Sequence, residues 1–534
     1  MPTEQITDLT IVAVYLIAVT FVGIWIGRKN AKTQEGYFLG NRQFNWVMIG
    51  FSLFATNVGM GMFVGGTGKA YQIGIAAVTP ELFGGLGLTI SAIVFIPLYL
   101  RSNITTLPQF LERRFATPAK LLYGSAFVAL AIITSPLTMY TGSIATLTLF
   151  NFEINATNIW LASLAIASTV GLYSVLGGLT AVVITDMIQV IVMVIGALLV
   201  AIIGLITVGG PNEFFTSLPE DNLELLRPID DPHFPWHAMV TGQLLASCLW
   251  AFSNITMLQR VLGAKELENA QKGMLVGAGM KMFALILFVI PGMIAAQLYP
   301  GINPDTAYSE LTRNLLPVGL SGLVLAGMIA ALMSSADSGI NALASIVAID
   351  IYPRIRKNAT QRQGVLVGKS IAIMNILWGV AAAPIFMTIN QGIFDLALKF
   401  GGFLMMPNGL CYLLGRFWKR GTHQACVTTL ACGISLGLFY NFTSTIPGYD
   451  YLLPQFILNI HYYFLLALFA GILTTVFVVV SLLTPAPTED QLALLKLNKP
   501  LPEEEQLSAK PFYRRFGFWA IIYLTAFFAL YIIF

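Results

Sequence analysis

An all-α polytopic membrane protein, with about fourteen transmembrane helices and a core of broken helices, is the fold class that this sequence predicts. Of its 534 residues, 56% are apolar and only 10% are charged, whereas soluble domains carry roughly 25% charged residues. A chain this apolar has too much hydrophobic surface for one water-soluble core. The other two observations are a series of apolar runs of membrane-spanning length and an uneven distribution of basic residues between the loops.

The apolar runs are about 20 residues long, which is the length that crosses a bilayer as a helix. The longest polar segment, 484–515, is too short for a soluble domain and is predicted to be a linker before the last span. The predicted spans are 7–27, 44–72, 77–100, 121–150, 156–177, 180–208, 236–258, 274–299, 317–350, 364–390, 393–418, 422–442, 456–483 and 516–534.

Basic residues collect in six loops that share one side of the membrane under this count, and these loops hold 24 of the 29 Lys and Arg residues. The loop at 259–273, with Arg260, is one of them. The positive-inside rule makes that side cytoplasmic. The largest opposite loop, 209–235, is acidic, so both termini are predicted to lie outside. The net charge of only +3 gives no field that would attract nucleic acid.

The second predicted span is rich in glycine between Gly59 and Gly68 and carries Thr56 and Asn57 just before this stretch. Glycine weakens a helix, and an unwound turn at membrane depth is tolerated only where it is buried in protein or lines a cavity. Carbonyl groups freed in this way can bind a cation. Close helix packing through small residues is the alternative explanation.

Polar and charged residues also lie in five other spans. The ninth span contains Ser334, Ser335, Asp337 and Ser338 within one and a half turns, and the sixth contains Asp186. Oxygen ligands of low total charge suit a hard monovalent cation, whereas a transition metal would favour His or Cys. Intramembrane charges are costly and are usually functional, which makes functional candidates of three further residues, Lys281, Lys399 and Glu81.

At these positions the sequence resembles the sodium/solute symporter family, in particular the sodium–glucose cotransporter branch and its bacterial members. The resemblance covers nearly the whole chain. It implies a transporter core over 1–483 with two inverted five-helix repeats, roughly 44–208 and 236–418, then the cytoplasmic linker 484–515 and a final helix at 516–534. The motifs that carry it are Ser52–Gly59, Phe63–Gly65, Tyr173–Val182, Thr185–Asp186, Asp231–Trp236, Gln259–Arg260 and Phe417–Lys419.

The resemblance also implies site residues. A second sodium is expected in an altered form, because Asp337 stands where two-sodium members have Ser. The solute site matches the sugar branch at Asn57, Glu81 and Lys281, and Glu81 is the expected partner of Lys281. The implied ligands of the main sodium are Ala55, Val58, Ala331, Ser334 and Ser335, and those of the second are Asp186, Asp337 and Ser338. The solute site further includes Met62, Ser247, Trp250, Leu398 and Lys399, with Phe394 as outer gate and Trp250 as inner gate.

The expected function is sodium-coupled symport of a small polar solute, a sugar or sugar derivative, by alternating access. Sodium is the expected co-transported ion, and the plasma membrane, as the inner membrane of a bacterium, is the expected location. An organic acid such as a sialic-acid-like carboxylate remains an alternative solute because Met62 and Leu398 replace polar sugar contacts. Proton coupling remains an alternative because Asp186, Asp337 and Glu81 are carboxylates. The sequence has no nucleophile–base pair or metal-ligand set that would indicate an enzyme, and it has no repeated filter of a channel.

Overall fold

The computed structural model describes residues 3–150, 152–388, 393–445, 449–454, 457, 459–496 and 511–534. The described residues form helices and no β-strand, with only two isolated bridges, which confirms the predicted all-α class. The helices, α1 to α24 in chain order, are Thr3–Asn30, Gln34–Leu39, Trp46–Asn57, Thr67–Ile73, Thr79–Val94, Ile96–Arg101, Pro108–Arg114, Thr117–Leu149, Ala156–Thr207, Pro211–Ser217, Trp236–Ala238, Leu244–Ser253, Ile255–Leu262, Leu267–Met282, Ile290–Leu298, Ala307–Leu315, Leu320–Ser345, Tyr352–Ile355, Gln361–Ala382, Ile393–Phe417, His423–Thr445, Tyr462–Leu483, Glu489–Ala493 and Phe516–Ile533.

Within the described residues, ten helical stretches are long and apolar enough to cross a membrane, or eleven if a pair bent by 43° at Asn254 counts as one span. The exact number of fourteen therefore stays a prediction. The two counts differ partly because some predicted spans are continuous with each other. The predicted spans 156–177 and 180–208, for example, lie in the single 52-residue helix α9.

Gly178 divides α9 at the point where the sequence predicts a boundary between two spans. Its φ of 62° and ψ of −158° are not helical. A Cβ at this position would lie 2.5 Å from the carbonyl oxygen of Tyr37, so both the backbone conformation and the close contact require glycine. Regular helical geometry is therefore interrupted at Gly178 between the two predicted spans.

Helix α9 packs against both α1 and α17. The contact with α1 is close because small residues face each other there. A Cβ on Gly27 would lie 2.5 Å from the Cα of Gly177. Such small-residue contacts bring membrane helices together where apolar burial alone provides little driving force.

Both chain ends lie at the same end of the helix bundle. Asp8, in α1, accepts hydrogen bonds from the backbone N–H groups of Gly319 and Gly322 at 2.7 and 2.9 Å. At the other terminus, the carbonyl of Phe534 accepts one from Leu225 at 3.0 Å. Leu225 belongs to the acidic 209–235 segment, which also contacts the end of α15.

Some of the basic residues that the sequence assigns to loops are buried. Arg114 is fully buried and donates hydrogen bonds to the carbonyls of Gly415, Trp418 and Lys419, which follow or end α20. Its role is to satisfy helix-end carbonyls that would otherwise lack partners. Arg114, which the sequence counts among the basic loop residues, thus lies inside the protein at the end of α7.

Candidate sodium and solute sites

Helix α3 stops in the middle of a predicted span, which confirms the predicted break. Its last residue is Asn57, and the next residue, Val58, has a non-helical φ of −90° and ψ of 65°. A Cβ on Gly59 would lie 2.4 Å from the Oγ of Ser335, so only glycine lets α17 approach the break this closely. The break thus exposes backbone oxygen atoms to the hydroxyl groups of α17.

All five residues expected to bind the main sodium lie at or beside this break. The Oγ of Ser334 lies 2.6 Å from the carbonyl oxygen of Ala55 and 3.2 Å from that of Ala331. Ser335 donates a hydrogen bond of 3.3 Å to the carbonyl of Thr56. Val58, the fifth residue, is buried at the break itself. The donor set consists of neutral oxygens, which suit a hard monovalent cation.

Arg260 occupies the region where the sequence places the second sodium. It lies in α13 and is fully buried, and its guanidinium is 3.0 Å from the carboxylate of Asp186, which is also fully buried. Asp186 accepts a further hydrogen bond from Ser52. The prediction of a loop at Arg260 is wrong, because the residue lies in α13 and its charge neutralises a carboxylate inside the protein.

Asp337, the other carboxylate of the expected second site, has different partners. Tyr173 donates a hydrogen bond of 2.5 Å to one of its oxygens, and Ser338 donates one of 3.2 Å to the other. All three side chains are buried. The structure thus brings Asp186, Asp337 and Ser338 together as expected, but with Arg260 among them.

A cavity of about 350 Å³ lies beside the break in α3. Its size is at the small end of the range of about 300–1,000 Å³ that is typical of small-molecule sites. Six of the eight side chains that the sequence places in the solute site line it. These are Asn57, Met62, Glu81, Ser247, Trp250 and Lys281.

Lys281 and Glu81 form the ion pair that the sequence predicts. Their Nζ and Oε2 atoms are 2.5 Å apart, and the two side chains are only 4% and 14% exposed. The ammonium also lies 6.0 Å from the centre of the Trp250 ring, within the range of a cation–π contact. Charge and aromatic surface are therefore adjacent on the cavity wall.

The remaining predicted residues are not shown at the cavity. Lys399 is described by the structure but is not among the described residues that line the cavity. The side chains of Leu398 and Phe394 lie outside the described part of the structure. The roles of these three residues stay predictions.

Several lining residues are missing from the sequence prediction. Gln243 donates a hydrogen bond of 3.2 Å to Ser247, one helical turn away. This i, i+4 spacing from a predicted site residue could have indicated from the sequence that Gln243 lies on the same helix face. Tyr462 reaches the cavity from α22, beyond the two predicted repeats, and Met405 and Met406 come from α20. Nothing in their local sequence distinguishes them from core residues.

The segment before α11 is held by one carboxylate. Asp231 accepts hydrogen bonds of 2.8 and 2.7 Å from the backbone N–H groups of His233 and Phe234, and it forms a 2.8 Å ion pair with Arg227. Partial burial raises the pKa of Asp231, but these hydrogen bonds and the Arg227 charge outweigh it, so that its pKa lies below the ordinary value.

These features define a class of protein. Discontinuous membrane helices whose free backbone groups lie beside a small cavity with a few polar side chains are typical of secondary transporters. The comparisons identify the family. The profile of the sodium:solute symporter family matches residues 37–433, and the chain belongs to this family.

Similar proteins agree with this assignment. The chain is 32% identical to the sodium/myo-inositol cotransporter of Mus musculus over 95% of this chain and 77% of that protein. It is 30% identical to sodium/glucose cotransporter 4 of Danio rerio over 92% of this chain and 81% of that protein. A solved Na+-coupled sialic acid symporter in a substrate-bound, outward-open state has the same fold, with a TM-score of 0.78, 21% identity and coverage of 90% and 99% of the two chains. The protein is therefore a multi-pass membrane symporter coupled to sodium, and not an enzyme.

Proposed function

We propose that this symporter carries a neutral, polyhydroxylated ring, a cyclitol or a hexose, together with sodium. The observation that supports this solute class most directly is the charge of the cavity. Among the described lining residues, Glu81 and Lys281 are the charged ones, and they neutralise each other at 2.5 Å. An anionic solute would have to break this buried pair, at a cost of several kcal/mol.

The other lining residues suit a ring with hydroxyl groups. Asn57, Gln243, Ser247 and Tyr462 offer amide and hydroxyl groups to the edge of such a ring, and Trp250 offers an aromatic face. A polar edge and an apolar face are what a hexose or cyclitol presents, and aromatic side chains stack on such faces. The names of the inositol and glucose cotransporter relatives agree with this chemistry.

Sodium is proposed to bind at the break in α3, to the carbonyls of Ala55, Val58 and Ala331 and the hydroxyls of Ser334 and Ser335. The bound ion would hold the broken helix against α17 and so complete the wall of the cavity. Solute affinity would then depend on sodium, because a ligand shifts an equilibrium only by its differential affinity for the two states.

We further propose that both termini face the outside and that the basic end of the bundle faces the cytoplasm. Two contacts support this orientation: Phe534 accepts a hydrogen bond from Leu225 of the acidic 209–235 segment, and Asp8 accepts one from Gly319 just before α17. The positive-inside rule then assigns the basic end to the cytoplasm. The transporter core of residues 1–483 with repeats at 44–208 and 236–418, the linker 484–515 and the final helix 516–534 complete the proposed organisation. The proposed location is the bacterial inner membrane.

Thermal unfolding of the purified protein with individual solutes, in sodium and in choline, tests the solute class. We expect stabilisation by myo-inositol or D-glucose in sodium only, by about 2.7 kcal/mol at 100 times the dissociation constant. N-acetylneuraminic acid and simple carboxylates should have no effect. Stabilisation by an organic acid and not by any neutral ring would overturn the proposed solute class.

A further inference from the structure

A second cavity, of about 340 Å³, lies between α9 and α19. Apart from Ser168, its described lining residues are apolar or glycine. The two helices come close at Gly171, where a Cβ would lie 3.0 Å from Cδ1 of Ile376. Leu172 and Leu377 also line the cavity and are 50% and 60% exposed. Since both helices cross the membrane, the cavity is a groove that an apolar chain from the bilayer can enter.

The groove has the length of one lipid leaflet. On α9 it extends from Leu164 to Leu176, which at 1.5 Å per residue is about 18 Å along the helix axis. Half of a typical hydrocarbon core is about 15 Å thick. The lining residues of α9 follow one another at spacings of three and four, so they form a single face of the helix. A lipid acyl chain that lies along this face therefore stays within one leaflet.

One end of the groove carries a positive charge. Lys369 lies one turn before Ile373, a lining residue of α19, and therefore on the same face of that helix. Its Nζ is 5.5 Å from the centre of the Tyr37 ring. The hydroxyl of Tyr37 donates a hydrogen bond of 3.1 Å to the carbonyl of Val175, which also lines the groove. Within the described part of the chain no carboxylate pairs with Lys369, so its ammonium can bind an external anion.

We propose that this groove binds one anionic phospholipid, with an acyl chain along α9 and α19 and the headgroup phosphate at Lys369. Basic side chains at the end of a groove between membrane helices attract anionic headgroups, and the apolar lining buries the chain. Arg362, seven residues before Lys369, lies on the same face of α19 and adds positive charge at this end. Under the proposed orientation the lipid belongs to the cytoplasmic leaflet. No described residue lines both this groove and the solute cavity, so lipid binding here does not depend on the proposed solute.

Native mass spectrometry of the purified, delipidated full-length chain counts bound lipids and distinguishes their headgroups. The protein is mixed with equal amounts of phosphatidylglycerol and phosphatidylcholine that have the same acyl chains. We expect one high-affinity lipid per chain and a preference for phosphatidylglycerol of at least about fivefold, because a basic residue near the membrane surface contributes about 1 kcal/mol. Lys369→Gln should lower this preference about fivefold. The matched control Lys265→Gln, which removes an exposed lysine from another basic loop, should keep the wild-type preference.

Gly171→Leu tests the apolar part of the groove. The new side chain would extend from the point where α9 and α19 come close and should displace the acyl chain, so that the high-affinity lipid is lost. Equal binding of the two lipids by the wild type would overturn the proposal, and this comparison needs no variant. An unchanged preference in Lys369→Gln, an equal loss in Lys265→Gln, or a folded Gly171→Leu protein that retains the lipid would also overturn it.

Discussion

The ion pair between Lys281 and Glu81 provides a prediction that separates solute binding from structural stability. Lys281→Met leaves the carboxylate of Glu81 without its cation at a position that is only 14% exposed. Removing one partner of a buried ion pair costs roughly 3–5 kcal/mol. The thermal unfolding temperature of Lys281→Met should therefore drop clearly. The double variant Glu81→Gln/Lys281→Met contains no uncompensated charge and should recover most of the loss.

Solute binding should respond differently from stability. A hydrogen bond to a charged group contributes about 1.5–3 kcal/mol, which corresponds to roughly a 10- to 150-fold change in affinity. We expect both the single and the double variant to show a half-saturation constant for solute that is raised by this factor, in proteoliposomes loaded to equal protein density. The double variant should still bind 22Na+ like the wild type, because Lys281 and Glu81 lie outside the proposed sodium site.

The outcome that refutes this reasoning is a double variant with wild-type solute affinity. Lys281 and Glu81 would then be a structural pair that happens to line the cavity, and the argument for a neutral solute would lose its main support. A matched control is Lys272→Met, which removes a lysine that pairs with Glu268 at 2.6 Å on the same helix but does not line the cavity. This variant should keep the wild-type half-saturation constant.

Three further predictions address the other parts of the site. Ser335→Ala removes a hydroxyl at the break in α3, so the sodium concentration for half-maximal uptake should rise at least tenfold while solute specificity is unchanged. A sodium dependence equal to that of the wild type would show that the ion binds elsewhere. Trp250→Ala removes the aromatic face of the cavity and should weaken solute binding, measured by calorimetry, by roughly 1–3 kcal/mol. Trp250→Phe keeps an aromatic ring and should retain most of the affinity. Equal losses of affinity in the two variants would contradict stacking of the solute on this ring. Asp231→Asn should increase the amide hydrogen exchange of Phe234. Because the pKa of Asp231 is lowered in the fold, the wild type should show the same increase only when the pH falls below the ordinary range of a carboxyl group. Exchange at Phe234 that responds neither to the substitution nor to this fall in pH would refute the role of this carboxylate.

Features that depend on local sequence were predictable. The glycines after Asn57 predicted the break in α3, because too little side-chain packing and too much backbone freedom disfavour a helix there. The pair between Lys281 and Glu81 joins residues 200 positions apart, and it was expected because an intramembrane ammonium requires a partner and the family resemblance places both residues in the solute site.

Other contacts between distant segments were not predictable. Asp186 and Arg260 are 74 residues apart in the chain, and the basic residue appeared to continue a cytoplasmic loop. Only the bend at Asn254 turns α13 inward so that Arg260 reaches the carboxylate. Tyr462 belongs to a helix outside the predicted repeats, and its approach to the cavity follows from the packing of α22 against the segment before α12.

Concentrative uptake into proteoliposomes tests the central claim, sodium-coupled symport of a neutral ring, most directly. One sodium ion moving through 100 mV provides about 2.3 kcal/mol, and a tenfold sodium gradient adds about 1.4 kcal/mol. With both gradients directed inward, labelled myo-inositol or D-glucose should accumulate up to roughly 500-fold, and replacing sodium by choline should abolish the accumulation. Undiminished accumulation in choline, or accumulation that follows a proton gradient in the absence of sodium, would contradict the account.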